Sequence, residues 1–167
     1  DKGSGLSYAI FGKTINRPID VSYVMSVDNV VGSEDGFGIY WPAGGGILYN
    51  VSMVGDLNAD GLADFAVGAY STDSAPAGPK AGRTFVVFGK TSTAPVYVSN
   101  IAAGCGGFVI NGQDSCQQSG FDVESAGDFN GDGINDLIVG TFRSPENTTP
   151  GKSFVVFGKS SGSPIDL

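Results

Sequence analysis

Tyr49–Gly68, YNVSMVGDLNADGLADFAVG, aligns without a gap to Phe121–Gly140, FDVESAGDFNGDGINDLIVG, at an offset of 72 residues. An internal period of that length governs the fold reading, because each repeat is a small unit that buries its apolar face only against a neighbour. A second signature surrounds these blocks: Ser7–Lys13 (SYAIFGK), Thr84–Lys90 (TFVVFGK) and Ser153–Lys159 (SFVVFGK). Five residues after each Lys stands a proline, Pro18, Pro95 or Pro164, followed by Ile19-Asp20-Val21, Val96-Tyr97-Val98 or Ile165-Asp166-Leu167. The remaining differences are loop lengths, as between Gly68 and Arg83 against Gly140 and Lys152, where insertions are tolerated.

Each period reads as short strands between turn residues. Tyr49–Val54 and Phe121–Ala126 alternate, Phe65–Val67 and Leu137–Val139 are apolar, and Phe85–Phe88 and Phe154–Phe157 are aromatic and β-branched. Phe37–Tyr40 and Phe108–Ile110 supply a fourth strand. No stretch holds a 3.6-residue apolar period over three turns, so the chain reads as all-β. Four strands per repeat suit a propeller blade, which stacks on its neighbours; a β-sandwich is the alternative, but it needs no long-range repeat.

Composition narrows the chemistry. The 167 residues fit one domain, and 11 Phe, 6 Tyr and 1 Trp within a 41% hydrophobic chain are ample for a core. With 27 Gly and 8 Pro, the chain turns often. The absence of histidine removes the His-based triad, the commonest general base and most zinc sites. Nine Lys plus Arg against seventeen Asp plus Glu, a net charge of -8, leave no basic field for nucleic acid or anionic lipid and favour cations as partners. No apolar run approaches the roughly 20 residues of a membrane span. The chain opens at Asp1 without an initiator Met or a signal-type stretch, and reads as a mature or excised piece of a soluble protein.

The acidic turns carry the sharpest chemistry. Asp56-Leu57-Asn58-Ala59-Asp60-Gly61-Leu62-Ala63-Asp64 returns as Asp128-Phe129-Asn130-Gly131-Asp132-Gly133-Ile134-Asn135-Asp136. Oxygen-bearing side chains fall at positions 1, 3, 5 and 9 of each loop, with Gly at 6. A hard cation takes six to eight oxygen ligands, and the backbone carbonyl at position 7, from Leu62 or Ile134, would join the side chains. Three carboxylates about 5 Å apart repel by roughly 3 kcal/mol per pair at an effective dielectric near 20, so loop order and ion occupancy should be coupled. Asp, Asn and Gly are also simply good turn formers, but one copy of the pattern is easier to dismiss than two. Calcium is expected over magnesium because protein oxygens are plentiful, and zinc and copper lack their softer ligands. An EF-hand is rejected: position 12 is Val67 or Val139 where a bidentate Glu is needed, and the flanks are strands.

The pattern Gly120-Phe121-Asp122-Val123, Gly127–Gly133 and Asp136–Gly140, closed by an aromatic strand ending in Phe-Gly-Lys, resembles the FG-GAP repeat of integrin α-subunit propellers and of many microbial and algal surface proteins. The chain departs from that family's Gly-Ala-Pro at Gly68-Ala69-Tyr70 and Gly140-Thr141-Phe142, and from its Phe-Gly at Tyr49-Asn50 and Phe121-Asp122. These departures leave the acidic loops untouched. The resemblance implies a seven-bladed propeller with calcium on the blade loops, extracellular or on the cell surface, serving adhesion or assembly. The expected organisation is a partial blade over residues 1–40, a full blade over 41–111 and a partial blade over 112–167, about two to two and a half blades in all. A closed propeller needs at least four, and open sheets associate, so the expected partners are other chains or further repeats of the same protein. Two copies joined end to end would duplicate the aromatic strand, which disfavours simple self-complementation. An extracellular protein or glycan is the further ligand class, with no nucleic acid and no membrane insertion.

Smaller signals complete the reading. Cys105 and Cys116 flank the outer strand and its return and are expected to bridge in an oxidising compartment, with two unpaired thiols as the alternative. Asn147-Thr148-Thr149 and Asn50-Val51-Ser52 fit the glycosylation pattern, Asn147 in a polar loop and Asn50 in a strand. Gly158–Gly162 spells a nucleophile-elbow pattern without any His to act as base, and the Phe-Gly-Lys segments lack the upstream Gly of a phosphate loop. The chain therefore reads as a non-enzyme. The runner-up is a carbohydrate-binding module or the accessory propeller of a larger secreted enzyme, with Trp41 as a sugar-stacking platform.

Overall fold

The computed structural model describes residues 6–12, 36–41, 48–74, 77–142 and 150–167. In chain order these hold β1 (Leu6–Ile10), β2 (Gly36–Tyr40), β3 (Asn50–Gly55), β4 (Asp64–Ala69), β5 (Arg83–Val87) and β6 (Val96–Tyr97). There follow a single short helix, α1 (Val98–Ala102), then β7 (Gly107–Asn111), β8 (Ser119–Gly127), β9 (Asp136–Thr141), β10 (Ser153–Val156) and β11 (Ile165–Asp166). The all-β reading holds, and the strands fall where alternation and β-branching place them.

Three sheets stand side by side. The middle one is a complete blade, β3-β4-β5-β7, antiparallel throughout. The third sheet repeats its first three strands as β8-β9-β10, and the first sheet holds β1 and β2, the counterparts of β5 and β7. Because side chains alternate across a strand, each blade offers two apolar faces. Phe65, Val67, Phe85, Val87 and Val109 of the middle blade pack against Phe37, Ile39 and Trp41 of the first. Ala66, Val86, Phe108 and Ile110, one residue out of phase, pack with Val123, Leu137, Val139 and Val156 of the third. The blades are stacked as in an FG-GAP propeller. Trp41 is a core residue whose ring meets Phe85 edge-on at 4.8 Å, so it presents no face to a sugar.

The proline segments form an element that alternation did not expose. After β5 the chain reaches back to the first sheet, where β6 pairs in parallel with β2 (Ile39 with Val96, Tyr40 with Tyr97). After β10 it does the same, and β11 pairs in parallel with β7 (Ile110 with Ile165, Asn111 with Asp166). Each is a strap on the outer edge of the preceding blade. Two residues are too few to read as a strand from sequence. Lys13 and Pro18–Val21, the first copy of this signature, lie outside the described residues.

The expected Cys105–Cys116 disulfide is not formed, and the fold explains why. The two residues sit beyond opposite ends of β7, whose five residues span about 16 Å at roughly 3.3 Å each, whereas a bridge needs Cα atoms about 4.4 to 6.8 Å apart. Backbone hydrogen bonds hold them there: Cys105 N–H donates to Asn100 at the helix end, and Cys116 N–H to Pro79 across a different loop.

Candidate metal centre

Each acidic loop joins the first strand of a blade to its second. In the first loop, Asp56 Oδ1 accepts the N–H groups of Asn58 (3.3 Å) and Asp60 (3.1 Å), and its Oδ2 accepts that of Gly61 (2.8 Å). Asn58 Oδ1 accepts Asp60 N–H at 3.0 Å, Asn58 Nδ2 donates to Asp60 Oδ2 at 2.9 Å, and Asp60 Oδ1 accepts Leu62 N–H at 2.8 Å. The second loop nearly copies this: Asp128 accepts from Gly131, Asp132 and Gly133, Asn130 from and to Asp132, and Asp132 from Ile134. The glycine at position 6 is required by the turn, with φ of 85° at Gly61 and 88° at Gly133, a conformation a Cβ disfavours. Position 4 is left-handed too, held by Gly131 in one loop and by Ala59 at φ 61° in the other.

Position 9 behaves differently. Asp64 is fully buried, its Oδ2 accepting Leu57 N–H at 2.8 Å and its Oδ1 accepting Gly89 N–H at 2.7 Å. Asp136 is equally buried and accepts from Phe129 (2.9 Å) and Gly158 (2.9 Å). These carboxylates tie the loop to the glycine of the Phe-Gly-Lys segment, a link the sequence displayed in triplicate without revealing its purpose. That glycine has no room for a side chain: a Cβ on Gly89 would lie 2.6 Å from Ala63 O and 2.7 Å from Leu62 Cβ, and one on Gly158 2.3 Å from Asn135 O.

The electrostatics follow from these bonds. Backbone N–H groups, Gly61 foremost, hold the Asp56 carboxyl below its ordinary range, against desolvation. Burial pushes Asp64 up, the Gly89 and Leu57 N–H groups pull the other way, and the nearby charges of Asp60 and Asp56 add to the rise. Among the described residues no three acidic or cysteine side chains are gathered at metal-ligand spacing. Backbone donors and the Asn amide satisfy the carboxylates where they stand. The donor set nevertheless suits a hard cation, with three carboxylates, an amide oxygen and backbone carbonyls in one nine-residue turn. Leu62 and Ile134, the expected carbonyl ligands, sit at the turn's exit, their side chains against Gly89 and Gly158. Of the other sites, Asn50 opens β3 with Nδ2 donating to Asp122 Oδ1 at 2.9 Å in the next blade, and Asn147 lies outside the described residues.

A duplicated blade whose first hairpin carries an oxygen-rich nine-residue turn defines a blade-repeat protein of propeller type. Comparison with known families gives the same result: the FG-GAP repeat family matches residues 49–87 and 123–156, which enclose both loops. The chain belongs to the FG-GAP repeat proteins. No curated protein shows significant similarity to it.

Proposed function

We propose that this FG-GAP module binds two Ca2+ ions outside the cell and serves adhesion or structural assembly without catalysis of its own. One ion would be held by Asp56, Asn58, Asp60, Asp64 and the Leu62 carbonyl, the other by Asp128, Asn130, Asp132, Asp136 and the Ile134 carbonyl. The observation that carries this reading is the near-identical hydrogen-bond pattern of two loops 72 residues apart, each carrying three carboxylates and an amide at the same positions of a nine-residue turn. Bound calcium supplies positive charge that relieves the repulsion among them. An extracellular setting is supported by the family, whose repeats typically occur there. The ligand class is an extracellular protein or glycan. The carbohydrate-module alternative loses its stacking platform with Trp41 in the core.

Isothermal titration of chelator-stripped protein should give two calcium equivalents, falling to one in Asp60→Asn or Asp132→Asn and to none in the double variant. Saturation at a hundredfold excess over Kd stabilises by about 2.7 kcal/mol per site, which for a chain of this size raises Tm by about 5 to 10 °C. A flat titration with an unmoved Tm would overturn the proposal.

A further inference from the structure

The geometry points to Asn130 as a site of spontaneous deamidation, a modification that rewrites the second acidic loop and spares the first. It goes beyond the calcium reading and does not depend on it. Glycine after an asparagine leaves its backbone nitrogen uncrowded and the chain free to turn, so that nitrogen can attack the side-chain carbon of the asparagine. The pair occurs twice in this sequence, at Asn111-Gly112 and Asn130-Gly131. The fold treats the two copies differently. Asn111 ends β7 and is buried, its Nδ2 donating to Asp166 at 2.8 Å while Gly112 N–H donates to Gly82 O at 2.9 Å. A Cβ on Gly112 would lie 2.1 Å from Ala81 O, so the backbone there has no room to rearrange. Asn130 and Gly131 are both exposed within the second loop, and a Cβ on Gly131 would meet nothing within 4 Å.

The loop also supplies what the reaction needs. Gly131 N–H donates to Asp128 Oδ1 at 2.7 Å, so its proton has an acceptor in place. Asn130 Oδ1 accepts Asp132 N–H at 2.9 Å, a donor held where negative charge develops as the amide is attacked. The Gly131 nitrogen bonds to Asn130 Cγ, its proton passes by way of Asp128 to the departing Nδ2, the Cγ–Nδ2 bond breaks, and ammonia leaves. Water then opens the cyclic imide, its hydroxyl bonding to one carbonyl carbon and its remaining proton going to the Gly131 nitrogen. Opening at Cγ gives aspartate; opening at the backbone carbonyl carbon gives isoaspartate. Aspartate adds a fourth carboxylate to Asp128, Asp132 and Asp136, isoaspartate lengthens the chain through the turn, and either removes the Nδ2 donor to Asp132. In the first loop Asn58 is followed by Ala59, whose Cβ crowds the same attack.

The test is peptide mapping by mass spectrometry of the unaltered chain incubated in chelator at neutral pH. A positioned base and an oxyanion donor each contribute about a hundredfold or more; with water competing in an exposed loop, Asn130 should still convert at least about tenfold faster than Asn111 or Asn58 in the folded chain. In unfolding urea Asn130 and Asn111 should convert at like rates. Ala59→Gly should bring Asn58 up to the rate of Asn130. Gly131→Ala should bring Asn130 down to that of Asn58, and the left-handed Ala59 shows that alanine is tolerated at this position. Asp128→Asn, which keeps an acceptor oxygen without its charge, should slow Asn130 by about tenfold. Circular dichroism verifies that the variants fold, and the comparison of Asn130 with Asn111 needs no variant. Equal rates at Asn130 and Asn111 in the folded chain, an Asn58 unmoved by Ala59→Gly, or an Asn130 unaffected by Asp128→Asn overturns the inference. Because the measurement is made in chelator, failure of this reading or of the calcium reading leaves the other standing.

Discussion

Asp64→Asn and Asp136→Asn are the same chemical change at equivalent positions, and the structure assigns them different consequences. Asp64 accepts two backbone N–H groups, from Leu57 and Gly89, in a fully buried position. Asparagine keeps one acceptor oxygen and turns an NH2 toward the other donor. An orphaned buried N–H is destabilising by about 1 to 3 kcal/mol. Relief of the carboxylate's desolvation and of its repulsion by Asp60 and Asp56 offsets part of this, leaving a net loss of about 1 to 2 kcal/mol in the absence of calcium. Asp136 accepts the equivalent bonds from Phe129 and Gly158 and a further one from Asn130 N–H at 3.3 Å, but Phe129 and Asn130 are exposed residues, Phe129 to 68% where Leu57 is 0%. Water can reach the Phe129 and Asn130 donors of this exposed loop more readily than the buried Leu57 donor, so Asp136→Asn should lose less than about 1 kcal/mol. With roughly 2 to 4 °C per kcal/mol for a chain of this size, Asp64→Asn should lower Tm by about 2 to 8 °C in chelator and Asp136→Asn by distinctly less. Circular dichroism melts of the two variants decide the matter. Equal losses, or a larger loss at Asp136, would refute the account of position 9.

Lys90 and Lys159 lie over the rings of Phe37 and Phe108 of the preceding blade, at 4.3 and 4.6 Å, and Lys→Met at either should lose about 0.5 to 1 kcal/mol in urea unfolding; no loss at both removes the clamp. Ala59 holds a left-handed conformation that Gly131 occupies in the other loop, so Ala59→Gly should raise stability by about 0.5 kcal/mol, relief of strain exceeding the added freedom of the unfolded chain; a lower Tm contradicts this. Calcium affinity of the first loop, isolated in Asp132→Asn, should begin to fall above the ordinary aspartate value of about 3.9 as pH is lowered, because burial raises Asp64 and protons compete with the ion there. In chelator the signs differ. The penalty of ionising raised Asp64 grows as pH rises through its folded value, whereas the stabilisation from depressed Asp56 is lost as pH falls. Calcium titrations from about pH 7 to about pH 4 read the affinity, and melts in chelator carried below the ordinary aspartate value read the two stability effects; an affinity flat down to the ordinary aspartate range counts against the assignment.

Strands and stacking were legible because side-chain alternation and duplication are local signals: Ala66 and Val67 point to opposite junctions, as their neighbours in the sequence predict. The acidic turns were legible for the same reason, since the Asx-type bonds of Asp56 and Asp128 span at most five residues. What escaped depends on distance. The bond from Gly89 to Asp64 crosses 25 residues, and the strap pairing of Asn111 with Asp166 crosses 55. The disulfide expectation failed through geometry, since proximity in sequence says nothing about an extended strand lying between two cysteines. Three copies of Phe-Gly-Lys announced a constraint without saying which neighbours imposed it.

Those neighbours show why the tripeptide recurs as a unit. Phe88 packs toward the following blade, Gly89 donates to the acidic loop of its own blade, and Lys90 lies over the preceding one. A single turn of chain thus ties three blades, and the loop proposed to bind calcium shares a backbone amide with the segment that sends a strap to its neighbour. The straps are also matched to their acceptors: Tyr97 stacks on Tyr40 at 5.4 Å, while at the equivalent place Asn111 donates to Asp166 at 2.8 Å. Exchanging the two would set a phenol ring beside an amide and a carboxylate against a phenol face, losing the stacking and the hydrogen bond together. Blade order is therefore encoded in these pairs as well as in chain connectivity, and the acidic loop is joined to the segment between blades through the Gly89 N–H.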